Sequence, residues 1–244
     1  MRVVVTGHSR GLGAAVAAEC LARGMAVMGL ARCANSALQL RFPHLLVQHE
    51  LDLADSRTLL DWLDGTALGD FIEGDEGEEG GKCVMLVNNA GTVQPVGALD
   101  QLTPAAIAMA VALNVSAPLM LASALAAHAG GERRILHVSS GAGRDAYAGW
   151  GVYCATKAAL DHHARAAALG RSAGLRICSI APGVIDTDMQ AELRAIAPQR
   201  FALHQEFQRL QRDGHLASPA ACAVRLVDFL LEPGFGDVPV ASLG

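Results

Sequence analysis

Short apolar runs alternate along this chain with longer stretches that carry apolar residues at helical spacing. Arg2–Thr6 is a β-branched run suited to a buried strand, and Ala26–Ala31, 45–51, 84–87, 134–139 and 176–180 repeat the signature. Residues 14–23 form an alanine-rich helical stretch ended by Gly24. Ser218-Pro-Ala-Ala opens a late helix with a serine cap and proline in its first turn. Such alternation predicts a parallel sheet covered by helices on both faces, with a helical excursion over residues 188 to about 215. Glu73 to Gly81 is acidic and glycine-rich, cannot bury a core, and reads as a surface loop without chemistry. Residues 101–131 carry no Asp, Glu, Lys or Arg, long enough to suggest a membrane span. Alanine dominates there, and Asn114, Ser116, Pro118, Ser123 and His128 interrupt it, so a buried helix is the better reading.

Two features carry candidate chemistry. Gly7-His-Ser-Arg-Gly11-Leu-Gly13 follows the first strand and precedes the first helix. Strand, glycine turn and helix N-terminus together make an anion site, because free N–H groups and the helix dipole face the same point. Its G-x-x-x-G-x-G spacing departs from the G-x-G-x-x-G dinucleotide fingerprint, and an ordinary loop is a competing reading. The second feature is Tyr153 and Lys157, four residues apart and so on one helical face. An ammonium within ~4–6 Å favours a phenolate and makes the hydroxyl a usable acid or base. Taken alone, the pair reads more readily as two amphipathic residues on a solvated helix.

Further segments point the same way. Thr6-Gly-His-Ser-Arg-Gly-Leu-Gly13, Asn88-Asn-Ala-Gly91, Asn114 in Leu-Asn-Val, Ser140 thirteen residues before Tyr153, and Pro182-Gly-Val-Ile-Asp-Thr187 occur in this order. With the Tyr153/Lys157 pair, the chain from residue 1 to about 190 resembles the short-chain dehydrogenase/reductase family. The resemblance implies one α/β domain over residues 1–244, a Rossmann-like doubly wound parallel sheet whose helical excursion covers the substrate. It implies hydride transfer between NADP(H) and a carbonyl. Tyr153 would donate the proton, Ser140 orient the carbonyl, Lys157 hold the nicotinamide ribose and lower the tyrosine pKa, and Asn114 fix a water linking Lys157 to solvent. Ser139 is the alternative serine, but it points away from Ser140 if the strand persists. The cofactor positions implied are Gly7, Ser9, Arg10, Gly11, Leu12, Arg32, Asp52, Leu53, Asn89, Ala90, Gly91, Pro182, Gly183, Val184 and Thr187, with Tyr153 and Lys157. An ordinary helix-capping role competes for Asp52. A helix bundle shared between subunits, giving a homodimer or homotetramer, is also implied for the uncharged stretch.

Residues 149–161 and 181–190 look more narrowly like the sepiapterin reductase and benzil reductase branch, whose members reduce ketones or diketones with NADPH. In the sepiapterin-type tail an aspartate holds the pterin. Here Val240 falls at that place and Asp237 lies close, so a diketone or another activated carbonyl stays open alongside a pterin.

Charge refines the picture. After the second strand, NAD-binding folds use an acid on the adenosine ribose, which would repel a 2′-phosphate. Leu30-Ala31-Arg32 has no acid there, and Arg10 adds a second cation, favouring NADP(H) over the reading of two solvated arginines. A net charge of −5 with no dense basic run argues against nucleic acid. The six cysteines are scattered without C-x-x-C or a secretory leader, as in a reduced cytoplasmic protein. Cys154 faces away from Tyr153 on a helix. No histidine shows metal-ligand spacing, so no metal is expected. The reading is an NADPH-dependent carbonyl reductase acting on a small molecule, with no membrane partner. An NADP(H)-binding redox-sensing regulator without turnover is the alternative.

Overall fold

A computed structural model describes residues 1–74, 83–128, 131–170, 172–197, 201 and 203–243. Seven parallel strands form one sheet: β1 (Arg2–Thr6), β2 (Ala26–Ala31), β3 (Leu46–Glu50), β4 (Val84–Asn88), β5 (Arg133–Val138), β6 (Leu175–Ala181) and β7 (Val240–Ser242), in the order β3-β2-β1-β4-β5-β6-β7. Six of these were legible as strands. The last, three residues pairing Ser179, Ile180 and Ala181 with Val240, Ala241 and Ser242, is too short for an alternation signal. Between β1 and β4 the chain order reverses direction, and in open α/β sheets ligands bind outside the carboxyl ends of the strands at such a point.

The period-2 alternation divides each strand between two cores. Val3 and Val5 of β1, with Val27, Met85, Val87 and Leu136, face helices α1 (Gly11–Ala22) and α10 (Pro219–Leu231). Val4, Met28, Leu30, Leu86 and Ile135 face the other side, against α3 (Ser56–Leu63), α4 (Ala67–Glu73), α6 (Ala117–Ala127) and α7 (Gly151–Leu169). Each fully buried Leu or Met contributes about 1.5–3 kcal/mol relative to exposure. The remaining helices are α2 (Ser36–Arg41), α5 (Pro104–Val111), α8 (Asp188–Ala195) and α9 (His204–Arg212).

Three expectations change in detail. The uncharged stretch is not one buried helix: α5 and α6 are joined by a π-turn at Ala112–Ser116, and only 33% of its most apolar window is buried. Met109 and Val111 stand 51% and 40% exposed. Asp52 does not cap the next helix. Asp55 does, accepting from the N–H groups of Arg57 and Thr58, while Asp52 Oδ1 accepts from Ala54 N. Of the acidic segment 73–81, residues 75–81 lie outside the described residues, and Glu73 closes α4. Ser218 caps α10 as expected, its hydroxyl accepting from Ala221 N.

Candidate active site

A cleft of about 1120 Å³ opens at the carboxyl ends of the strands. Three of the four residues of the anticipated acid group, Ser140, Tyr153 and Lys157, line it, and Asn114 does not; the anticipated cofactor positions from Gly7 to Thr187 line it as well.

One wall is the glycine turn. Gly7 and Gly11 hold positive φ (70° and 58°), which L side chains rarely adopt. Gly13 lies inside α1, where a Cβ would stand 2.2 Å from the Gly7 carbonyl oxygen, so only glycine lets the helix approach the turn. Arg10, at the N-cap, accepts no capping bond through its side chain, and no acid occupies the first turn of α1. The helix therefore presents uncapped N–H groups and its positive end to the cleft, an arrangement that fits a pyrophosphate. Thr6 ties this wall to β4: its hydroxyl oxygen accepts from the N–H groups of Asn89 and Ala90 at 2.9 Å each, and Asn89 Nδ2 donates to Thr6 O at 3.0 Å. Beneath the turn, the buried His8 ring packs where a Cβ on Gly29 would strike it, and Nε2 pairs with Gln48 Oε1 at 2.7 Å. Burial holds the pKa of His8 below its ordinary value.

The two arginines behave differently. Arg32 lines the cleft, is exposed, and has no acidic partner among the described residues. Arg10 instead pairs with Asp188 at 3.1 Å, reaching across the mouth of the cleft to the start of α8.

The opposite wall carries the acid group. Ser140 follows β5 in extended backbone and caps a short 3-10 turn, Gly141–Gly143. Its neighbour Ser139 points the other way, its hydroxyl 3.5 Å from the Lys157 carbonyl oxygen, as strand alternation requires. Tyr153 and Lys157 lie in the first two turns of α7, 7% and 6% exposed. Burial pushes the Tyr153 phenol up to about 12, opposed by a hydrogen bond with the Ser140 side chain. Burial likewise pushes Lys157 down to about 8, opposed by the buried carboxylate of Asp161.

The expectation that Lys157 lowers the tyrosine pKa is therefore corrected. Lys157 Nζ donates to the Val138 carbonyl at 2.8 Å and lies 5.7 Å from the centre of the Tyr153 ring, so Ser140 is the group that favours the phenolate. Asn114 sits in the π-turn, a local irregularity common at functional sites. Its Nδ2 donates to Thr92 O (2.8 Å) and Thr156 Oγ1 (3.1 Å), while Oδ1 accepts from Thr92 N (2.9 Å). Both amide protons are taken, so any water at Asn114 falls to its carbonyl oxygens.

Beyond Tyr153 the cleft turns aromatic. Trp150 stacks at 5.1 Å from Tyr153, 5.0 Å from Phe201, 5.6 Å from Phe207 and 6.0 Å from Tyr147, in tilted or edge contacts. Leu193 of α8 and Phe207 of α9 complete this cluster, so the excursion after β6 closes over Tyr153. Trp150, Phe207 and the buried Gln190 all line the cleft. At the far end of β6, Asp237 pairs with Arg176 at 3.4 Å, away from the cleft that opens beyond Ala181. The tail residue that reaches the cleft is Ser242, held through its hydroxyl by Arg144 at 2.6 Å.

All six cysteines are free thiols, and Cys33 is the exposed one. Among the described residues no cluster of three His, Cys, Asp or Glu could hold a metal ion.

The family model for short chain dehydrogenases matches residues 1–197. The chain belongs to that family. As a short-chain dehydrogenase it is similar to the benzil reductase ((S)-benzoin forming) of Bacillus cereus, 32% identical over 93% of both chains. The sepiapterin reductase of Meriones unguiculatus is 32% identical, with 95% of this chain and 92% of the relative covered. Among solved structures, a short-chain dehydrogenase/reductase from Burkholderia vietnamiensis is 44% identical with a TM-score of 0.71, covering 98% of this chain and 94% of that one. A short chain dehydrogenase from Burkholderia cenocepacia J2315 in complex with NADP is 29% identical with a TM-score of 0.75, over 99% and 94%. This short-chain dehydrogenase thus spans more than nine-tenths of the length of each of these relatives.

Proposed function

We propose that this oxidoreductase is an NADPH-dependent carbonyl reductase of aryl ketones and vicinal diketones. The observation that carries the reading is the buried Tyr153 phenol, which with Ser140 lines the floor of a cleft walled on one side by an uncapped helix N-terminus and on the other by aromatic rings. When bound, NADPH supplies the hydride. The glycine turn, Asn89 to Gly91 and Pro182 to Thr187 would hold it, and Arg32 offers an unpaired guanidinium for a 2′-phosphate.

Ser140 orients the substrate carbonyl beside the phenol. Tyr153 then gives its proton to the carbonyl oxygen as the carbon is reduced, yielding an alcohol. A phenol raised to about 12 keeps that proton throughout the neutral range, and the Ser140 bond stabilises the phenolate left behind. Lys157, fixed against Val138 O, supplies a positive charge at the foot of the ring. Trp150, Phe207 and Tyr147 offer flat apolar faces to an aryl substituent, consistent with the names of the benzil reductase relatives.

The open apolar face of 104–127 supports assembly as a homodimer or homotetramer through α5 and α6, and six free thiols support a reduced, cytoplasmic setting. The test mixes the protein with NADPH and 1-phenyl-1,2-propanedione or benzil while following absorbance of the reduced nicotinamide. Consumption with NADPH faster than with NADH is expected. Tight NADPH binding without consumption across a ketone panel would instead mark the redox-sensing regulator.

A further inference from the structure

Eight buried side-chain polar atoms have no hydrogen-bond partner among the described residues, and they belong to His8, Trp62, Asn88, Arg133, Trp150, Gln190, Arg194 and His204. Only Trp150 and Gln190 of these line the cleft. Gln190 is 9% exposed, and its Oε1 is withdrawn from bulk water without receiving a partner among the described residues. Native proteins rarely leave such groups unsatisfied, and those that remain call for an explanation at a functional site.

A structural explanation was available and is not used. Thr187-Asp-Met-Gln190 is a T-x-x-Q capping box, in which the glutamine side chain would reach back to the N–H of the N-cap threonine and the threonine side chain would accept in return. Thr187 is the N-cap of α8 and makes no side-chain cap bond, and Gln190 Oε1 has no partner. The amide is thus free of its own helix. Gln190 and Leu193 are the buried residues of α8, three positions apart on one face, and Leu193 packs in the aromatic cluster with Trp150, Tyr153 and Phe207. That face is the substrate side of the cleft. The other orphan there, the indole N–H of Trp150, belongs to the same cluster.

We propose that Gln190 is a specificity-determining residue whose carboxamide hydrogen-bonds a second oxygen of the substrate, adjacent to the carbonyl that Tyr153 protonates. A glutamine amide turned about its last torsion presents N–H to a carbonyl or C=O to a hydroxyl, so one side chain serves a vicinal diketone and the hydroxyketone formed from it. A simple aryl ketone leaves the amide unsatisfied, and a site built to hydrogen-bond a group discriminates against analogues lacking it. The inference rests on the carbonyl-reductase reading and narrows its substrate to vicinal dicarbonyls.

The test compares 1-phenyl-1,2-propanedione with acetophenone, which lacks the second oxygen, in the parent enzyme, Gln190→Leu and Gln190→Glu. Leucine fills the site without polarity, and glutamate keeps the shape but accepts only. In both variants the ratio of kcat/KM values, diketone over monoketone, should fall about tenfold, the worth of one hydrogen bond. The NADPH Kd, read by nicotinamide fluorescence, should stay within about twofold, and the melting temperature of Gln190→Leu should equal or exceed the parent's because an orphan amide has been removed. A ratio that holds within twofold overturns the proposal, as does a matching loss for both ketones. A weakened NADPH Kd reassigns the amide to the coenzyme and overturns it equally. Failure of the parent enzyme to reduce either ketone overturns the carbonyl-reductase reading itself.

Discussion

The glycine turn at residues 7–13 and the lid helices α8 and α9 face each other across one cleft, yet they are built on opposite terms. The turn is fixed by backbone: positive φ at Gly7 and Gly11, a helix approach that only Gly13 permits, and a Thr6 hydroxyl bridging the N–H groups of Asn89 and Ala90 just after β4. Its uncapped N–H groups face the place where a phosphate fits, while the buried His8 Nδ1 beneath it has no partner among the described residues. The lid side is fixed by side-chain packing, with Trp150, Phe201 and Phe207 in mutual contact and the Oε1 of Gln190 left without a partner among the described residues. Under the proposed function, the first half would take the coenzyme and the second the substrate. Backbone requirements recur as motifs, whereas packing requirements can be met by many residue combinations.

The seam between the halves is Tyr153, and removing its hydroxyl should have the largest effect. Tyr153→Phe keeps the ring against Trp150 but deletes the proton donor. We expect kcat for diketone reduction to fall by roughly 10²–10⁴-fold, the usual contribution of a positioned general acid. NADPH affinity, measured by fluorescence titration, should change less than about twofold. A variant that retains near-parent kcat would remove Tyr153 from the chemistry and leave the two halves without a common centre.

Arg32 tests the coenzyme half alone. It lines the cleft at the end of β2 without an acidic partner, so Arg32→Ala removes a charge-assisted contact to a 2′-phosphate and little else. The NADPH Kd should weaken roughly tenfold while the NADH Kd stays level. Equal weakening for both coenzymes would show that Arg32 supports the fold of the adenosine pocket and does not recognise the phosphate.

The same division explains what could be read from the residues alone. Six of seven strands and the positions of Gly7, Asn89, Ser140, Tyr153 and Lys157 were legible because periodicity and backbone geometry leave short-range signatures. The joining of α5 to α6 by a π-turn was not, since nothing in an uncharged alanine-rich run marks the extra residue. The source of the Tyr153 perturbation also escaped. Spacing puts Lys157 on the same helical face, but only the structure shows Nζ committed to Val138 O and Ser140 on the phenol. The unpartnered atoms of Gln190 and Trp150 escaped for a third reason: an unsatisfied polar group is a property of its surroundings, which lie far away in sequence.

The smallest effect belongs to an ion pair that crosses from half to half. Arg10 and Asp188 are 69% and 71% exposed, so their attraction is screened and modest. Arg10 cannot serve Asp188 and a 2′-phosphate with the same fork at once, so NADPH binding must compete with the pair. Asp188→Asn should therefore free Arg10 and tighten the NADPH Kd by about twofold to threefold, within the range of a surface salt bridge. NADH, with no 2′-phosphate to draw Arg10 away, should bind the variant as it binds the parent. The gain should shrink as salt is raised past physiological strength, where charges about 8 Å apart are already screened. If NADPH binds Asp188→Asn more weakly, the pair instead holds the lid over the coenzyme, and the turn and the lid act as one body where the rest of the structure makes them two.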